Sequence, residues 1–282
     1  MSIDVAQTAK DFEQHAQAGK LPELLSRDLH NLNDADRLAV AKQIEWDMRQ
    51  HQDPSLPKVE FYDTGDLKSV ETHEKTNSGE YSEHTELDKN TGKVRSELNT
   101  SNTSTSYESV GRAELTERDA DGHITHKFSV LTEARGTSVK VTTDDDKWAY
   151  DAKTGKKVSH DETTSWGKKV HEEYDGQTGN EKFEDITSPK GSVHRTYDSA
   201  NGKLRQEDIV NEDKTTETLK YNSNGDKLSR EKRYGTNGSE GTRIWNYSPL
   251  TGDAVYTEWR DPSGRVEKMN IDKNGKYTRI ED

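Results

Sequence analysis

The 282-residue chain has no cysteine, which excludes a disulfide framework, a thiolate metal site and a cysteine nucleophile. Apolar residues are scarce as well: 27% of the chain, against about 45–50% in an ordinary globular domain. No stretch approaches the about 18 consecutive apolar residues that a membrane helix needs, so membrane insertion by helices is not expected. Positive charge is in deficit, with 41 Lys and Arg against 54 Asp and Glu and a net charge of −13, which argues against a nucleic-acid partner. The first residues, Met1-Ser2-Ile3-Asp4, lack the basic and apolar regions of a secretory signal. Cytoplasm is therefore the default placement, with signal-independent secretion as the other route that a cysteine-free chain suits. What the sequence does have is charge: 34% of residues, mixed in sign along the chain so that self-repulsion stays weak.

The N-terminal region has helical periodicity. Asp11, Phe12, His15 and Ala16 fall on one turn pattern, and Leu21, Leu24, Leu25 and Leu29 recur at helical spacing. Asn33 or Asp34 can cap a third helix with Leu38, Ala41, Ile44 and Met48 in its apolar stripe, and Trp46, off that stripe, is expected to meet the rest of the protein. Pro54 and Pro57 end this region. Residues 1–52 read as a helical cap of two or three short helices and 53–58 as a proline-containing linker. Alone, the cap buries too little to be stable, so it is expected to pack on the C-terminal remainder of the chain.

Residues 59–282 have a different period. An aromatic or aliphatic residue, Asp or Asn, a few polar residues, Gly, and then an aliphatic recur, as in Tyr62-Asp63-Thr64-Gly65-Asp66-Leu67, Tyr197-Asp198 leading to Gly202-Lys203-Leu204, and Ile271-Asp272-Lys273-Asn274-Gly275-Lys276-Tyr277. The Asp or Asn side chain accepts a hydrogen bond from the backbone two residues on, and Gly takes the left-handed position that turns the chain into the returning strand. In the last copy this sets Asp272 opposite Lys276 and Ile271 opposite Tyr277. With strands of roughly 7–10 residues, the spacing predicts an antiparallel meander of about 16 strands.

Little is available to cover its faces. The segment Asn99 to Tyr107 is almost wholly polar, whereas Ile244, Trp245, Tyr247, Val255, Tyr256 and Trp259 put aromatics on both sides of later strands. The expected fold is mainly β: a long, open, twisted and largely single-layer sheet of repeated hairpins with a small N-terminal α-helical cap. Long charged stems and cross-strand threonine pairs would pack it.

The Tyr-Asp-x-x-Gly-x-Leu units, as at Tyr62–Leu67, Tyr197–Leu204 and Tyr221–Leu228, resemble bacterial YD repeats of Rhs-type wall and toxin-shell proteins, and also MORN-type repeats. The resemblance spans about residues 59–282 as a period and rests on the turn residues. It implies β-hairpin architecture and no catalytic residues. The chain departs from YD shells in lacking enough Leu and Val to line an apolar inner face.

Signals for chemistry are few. Glu117, Asp119, Asp121, Gly122 and Ile124 fit five places of an EF-hand loop, but Phe128 stands where the bidentate acid is needed, so a hairpin turn is the better reading. Asp144-Asp145-Asp146 reads as a solvated turn. A two-residue loop at Ser78-Gly79 would set His73 opposite His84; a three-residue loop would set it opposite Glu83. No nucleophile, zinc or phosphate-loop motif occurs, so no catalytic residue, metal or cofactor is expected. The candidate binding residues are Trp245, Tyr247, Tyr256 and Trp259, which can stack on sugars, anchor a protein or form a local core. The functional expectation is a non-enzymatic scaffold or protein-binding surface, accessory to a secreted-toxin system if the resemblance carries that far. A carbohydrate- or envelope-binding module is the alternative, and a hydrolase whose two acids leave no local signature is the third.

Overall fold

The computed structural model describes residues 3–50 and 56–280. Three helices, α1 (Val5–Gln17), α2 (Pro22–His30) and α3 (Asp34–Gln50), precede eighteen strands in an open antiparallel meander. The chain divides into two compact units, residues 1–146 and 147–282. The first holds the helices with β1 (Lys58–Phe61), β2 (Leu67–Lys75), β3 (Gly79–Leu87), β4 (Val94–Ser104), β5 (Glu108–Arg118) and β6 (Ile124–Arg135); β7 (Ser138–Tyr150) runs across the division. The second continues with β8 (Lys157–Thr164), β9 (Lys169–Tyr174), β10 (Glu181–Ser188), β11 (Gly191–Tyr197), β12 (Leu204–Asn211) and β13 (Thr216–Tyr221). It ends with β14 (Lys227–Tyr234), β15 (Gly241–Tyr247), β16 (Ala254–Arg260), β17 (Val266–Ile271) and β18 (Tyr277–Arg279).

The first unit has a true core. Phe12, Leu25, Leu29, Val40 and Ile44 from the helices close over Leu67, Val70 and Leu87 of the sheet, with Phe12 and Phe61 rings 6.1 Å apart. The sheet thus supplies the apolar surface that the helices cannot provide for one another. Asn33 caps α3 as its sequence implies, accepting from the Asp36 amide at 3.0 Å. One buried carboxylate fastens the first hairpin turn to this helix. Asp66 forms an ion pair with Arg37, Nε at 3.1 Å, accepts from Thr64 Oγ1 at 2.7 Å, and lies 3.1 Å from His30 Nδ1, while Arg37 Nε donates to the Thr64 carbonyl at 3.4 Å. At Gly65 a Cβ would stand 2.7 Å from the Leu38 backbone, so both its φ of +83° and the closeness of α3 require glycine.

The second unit has hardly any core. Among its described residues Val170 is the only buried apolar side chain, and every residue of β11 is half-buried. Opposed residues share a face, so the registers read out as rows. One row runs His160–Glu172–Glu184–Arg195–Glu207–Leu219–Arg230–Trp245–Thr257–Met269–Arg279. Beside it on the same face lie Val170, Ile186, Val193 and Ile209, a short aliphatic stripe. Arg195 bridges Glu184 at 2.7 Å and Glu207 at 3.2 Å, one cation tying three strands.

The turns add a second lattice. In several turns an Asp side chain accepts backbone amides, as Asp175 does from Gln177 and Thr178 at 3.0 and 2.7 Å, and Asn222 and Ser248 do so in two others. Residues beside the turn glycine then reach the carbonyls of the next turn on the same edge. Thr178 Oγ1 and Asn180 Nδ2 donate to Ser199 O at 3.1 and 3.0 Å, Asn201 Nδ2 to Ser223 O at 3.4 Å, and Lys203 Nζ to Asn224 O at 2.8 Å. Lys156 does the same to Gln177 O.

Three expectations are corrected. Among the described residues the strands number eighteen, because β1, β9, β13, β17 and β18 are shorter than the assumed 7–10 residues. Trp46 is 58% exposed, since α3 meets the sheet through Val40 and Ile44. His73 lies opposite Ser82, and His84 opposite Glu71, because the reversal is centred at Asn77-Ser78, one residue before the position assumed from Gly79.

Asp66→Ala removes one of the two carboxylates beside the buried Arg37, leaving Asp34 at 2.6 Å, and should cost about 1–3 kcal/mol in urea unfolding of the first unit. Asp63→Ala, in the same turn but exposed, should stay within about 0.5 kcal/mol.

Candidate functional site

The polar stretch of β4 gains a role from the helices above it. The corner between α1 and α2 overhangs β2–β5 and leaves a groove of about 570 Å³, floored by Asn99, Thr100 and Ser101 and walled by Gly19, Lys20 and Leu21. Glu74, Tyr81, Ser101 and Arg112 form one row across its four strands. Leu21 is 64% exposed at the start of α2, where Pro22 occupies the first helical turn, and Tyr81 is 42% exposed. Arg112 is exposed and makes no ion pair among the described residues, although Glu114 two residues on is paired with Lys127 at 3.2 Å. An apolar lip, an aromatic and a free guanidinium thus face one concavity of the size that ligand clefts have, about 300–1,000 Å³.

The C-terminal aromatics are divided between the two faces. Trp245 lies opposite Arg230 and Thr257, and Trp259 opposite Arg243, all on one face; Tyr256 lies opposite Asn246 on the other. Tyr247 sits at a register shift at the end of β15. Arg230 and Arg243 lie 5.1 and 5.3 Å from the Trp245 ring, Lys227 5.1 Å from Tyr247, and the Tyr234 ring 5.7 Å from that of Trp259. Tyr256 donates to Glu258 at 3.2 Å. Each of these rings is engaged by a neighbouring side chain of the sheet itself.

Two acidic clusters have cation-ligand chemistry. Asp119, Asp121 and His123 converge in the turn that sequence likened to an EF-hand, but one Asp119 oxygen already accepts the Asp121, Gly122 and His123 amides, each at 2.9 Å. Glu172, Glu181 and Glu184 come within 4.8 Å of one another. Burial, with the charges of Glu184 and Glu172, pushes the Glu181 carboxyl up to about 7. Burial also raises Glu172, but hydrogen bonds from Tyr174 and His160 outweigh it and hold that carboxyl below its ordinary value. Sequence reasoning missed this cluster. The Tyr174-Asp175…Gly179 turn was its signal: it sets Tyr174 opposite Glu181, and the adjoining bulge sets Glu172 opposite Glu184.

His126, from the same EF-hand-like stretch, clamps three strands. Its Nδ1 lies 2.8 Å from Glu117 on β5 and its Nε2 2.8 Å from Asp145 on β7. Ionised carboxylates only accept, so both ring nitrogens must donate and the ring is an imidazolium. Burial lowers its pKa, but the two hydrogen bonds and charges outweigh that and hold it above the ordinary histidine value.

No protein-family model matches the sequence, and no curated protein matches it. Among solved structures, a porin-like protein from Bacteroides uniformis ATCC 8492 aligns at 10% identity over 65% of this chain and 85% of that one, with a TM-score of 0.24. A likeness that slight carries no argument.

The His126 clamp is fully made below about pH 6.5 and is lost as pH rises through the raised folded pKa. His126→Gln should therefore cost about 1–3 kcal/mol at pH 5.5 and much less at pH 8.5. Urea unfolding of both proteins at the two pH values checks this.

Proposed function

We propose that the chain is a non-enzymatic scaffold that takes an extended segment of a protein partner into the groove beneath the α1–α2 corner. The observation that carries this is the free Arg112, on one row with Tyr81 and Glu74 and facing the concavity that Leu21 overhangs. A guanidinium without an internal partner is suited to bidentate capture of a carboxylate, and Leu21 with Tyr81 can bury an apolar side chain beside it. The favoured occupant therefore offers an acidic residue to Arg112, clear of Glu74, Glu83 and Glu114 that also line the groove, next to an apolar one. Carbohydrate stacking at the C-terminal aromatics is less favoured, because Trp245 already lies against two guanidinium groups.

A photo-crosslinking residue at position 81 should capture one defined partner from the native cell extract, and Arg112→Glu or Leu21→Ser should reduce capture at least about tenfold. Equal capture from position 107, which is exposed outside the groove, would overturn the proposal.

A hydrolytic second reading rests on the Glu181 carboxyl, protonated near neutrality beside ionised Glu172, a division of roles that acid–nucleophile pairs use. It requires hydrolysis of chromogenic aryl glycosides that Glu181→Gln abolishes; no turnover by the wild type rejects it.

A further inference from the structure

On the face opposite the Glu172–Arg195 row, five residues cross five strands in register: Asp161 on β8, His171 on β9, Asp185 on β10, His194 on β11 and Asp208 on β12. Acid and imidazole alternate without a break. His171 Nδ1 lies 2.6 Å from Asp161 Oδ1, and His194 Nδ1 2.5 Å from Asp185 Oδ1. Asp208 is held by Thr218 Oγ1 and Gln206 Nε2, each donating at 2.6 Å. Phe183 on β10 lies between the two imidazoles, 5.4 Å from His171 and 6.1 Å from His194.

Each histidine faces negative charge from both neighbouring strands. His171 sees Asp161 across β8, Asp185 across β10 and, on its own strand, Glu173 at 3.8 Å, whose carboxylate is shared with Lys182 at 3.8 Å. His194 sees Asp185 across β10 and Asp208 across β12. The imidazoles are 41% and 44% exposed, so protons exchange freely with solvent.

We propose that this row is a proton-operated latch: two imidazolium ions between three aspartates draw β8–β12 together in mildly acidic surroundings, and loss of their protons loosens this face. With both histidines protonated the row carries 2 − 3 = −1; without those protons it carries −3, on strands two apart and about 9–10 Å from one another. The direction is set by linkage. The Asp161 hydrogen bond, against some burial, and the charges of Asp161, Glu173 and Asp185 hold His171 above its ordinary value. Its stabilisation is then complete below about pH 6.5 and disappears as pH rises through the folded pKa.

Hydrogen exchange of the full chain, corrected for intrinsic rates and read by mass spectrometry, tests the latch. Peptides from β8–β12 should exchange about tenfold more slowly at pH 6 than at pH 8, those from β15–β18 with little change. In His171→Gln/His194→Gln that contrast should shrink to the part that titration of Glu181 on β10 leaves, and with Glu181→Gln added it should vanish. An unchanged contrast in the double variant overturns the proposal. A histidine-resolved NMR titration of the wild type gives a readout that needs no variant: the His171 ring must be mainly protonated at pH 6, and finding it neutral there rejects the latch.

Discussion

Register-locked pairing of unlike side chains is the constraint on which the second unit depends. A sheet wetted on both faces gains little stability from burial, and an isolated exposed ion pair contributes only about 0–1 kcal/mol. Rows change the balance because one group serves two strands. Arg195 joins Glu184 to Glu207 on the strands either side of it, and Glu217 holds two cations of one neighbouring strand, Arg230 and Lys232, at 2.7 and 2.9 Å. A slip of one residue would exchange the faces and break each row at once. Mixed charge is thus how the fold specifies register where an apolar face would ordinarily do so.

The first unit solves the same problem differently. Its helices cover one end of the sheet, and there the structure obeys globular rules: Leu25, Val40, Ile44, Leu67 and Leu87 are buried together, and the one deep carboxylate, Asp66, is met by Arg37, His30 and Thr64. The cover stops short of the polar span of β4. The overhang at Leu21 therefore leaves a concavity lined by Arg112, which has no ion pair among the described residues.

Much of the architecture was legible because turns are local. Asp-x-x-Gly spacing announces its own hydrogen bonds, and Asp261 and Asp272 accept the amides of Ser263 and Asn274, each at 2.9 Å, as that spacing requires. Helical stripes were equally plain at Leu25, Leu29 and Ile44. What sequence did not disclose depends on register summed across several loops. A shift of the turn by one residue moved His73 from Glu83 to Ser82, and the Glu172–Glu184 contact needs a bulge that spacing alone does not reveal. The aromatics at 245, 247, 256 and 259 are neighbours in composition, yet strand alternation sends Tyr256 to the other side. The groove was invisible because its wall and floor, Leu21 and Ser101, are joined only by the docking of the helices.

The edge-to-edge bonding of the turns carries an implication for how such a chain can vary. Lys156 grips the succeeding loop, as Lys203 does its own successor, and Thr178 and Asn201 serve between them. From the loop at Lys156 to the loop at Asn224, each successive loop of this edge therefore offers carbonyls to Lys, Thr or Asn donors of the one before it. Excising or duplicating a pair of strands leaves matching chemistry on either side of the junction, so recombination can lengthen or shorten the protein in whole steps without inventing a new interface.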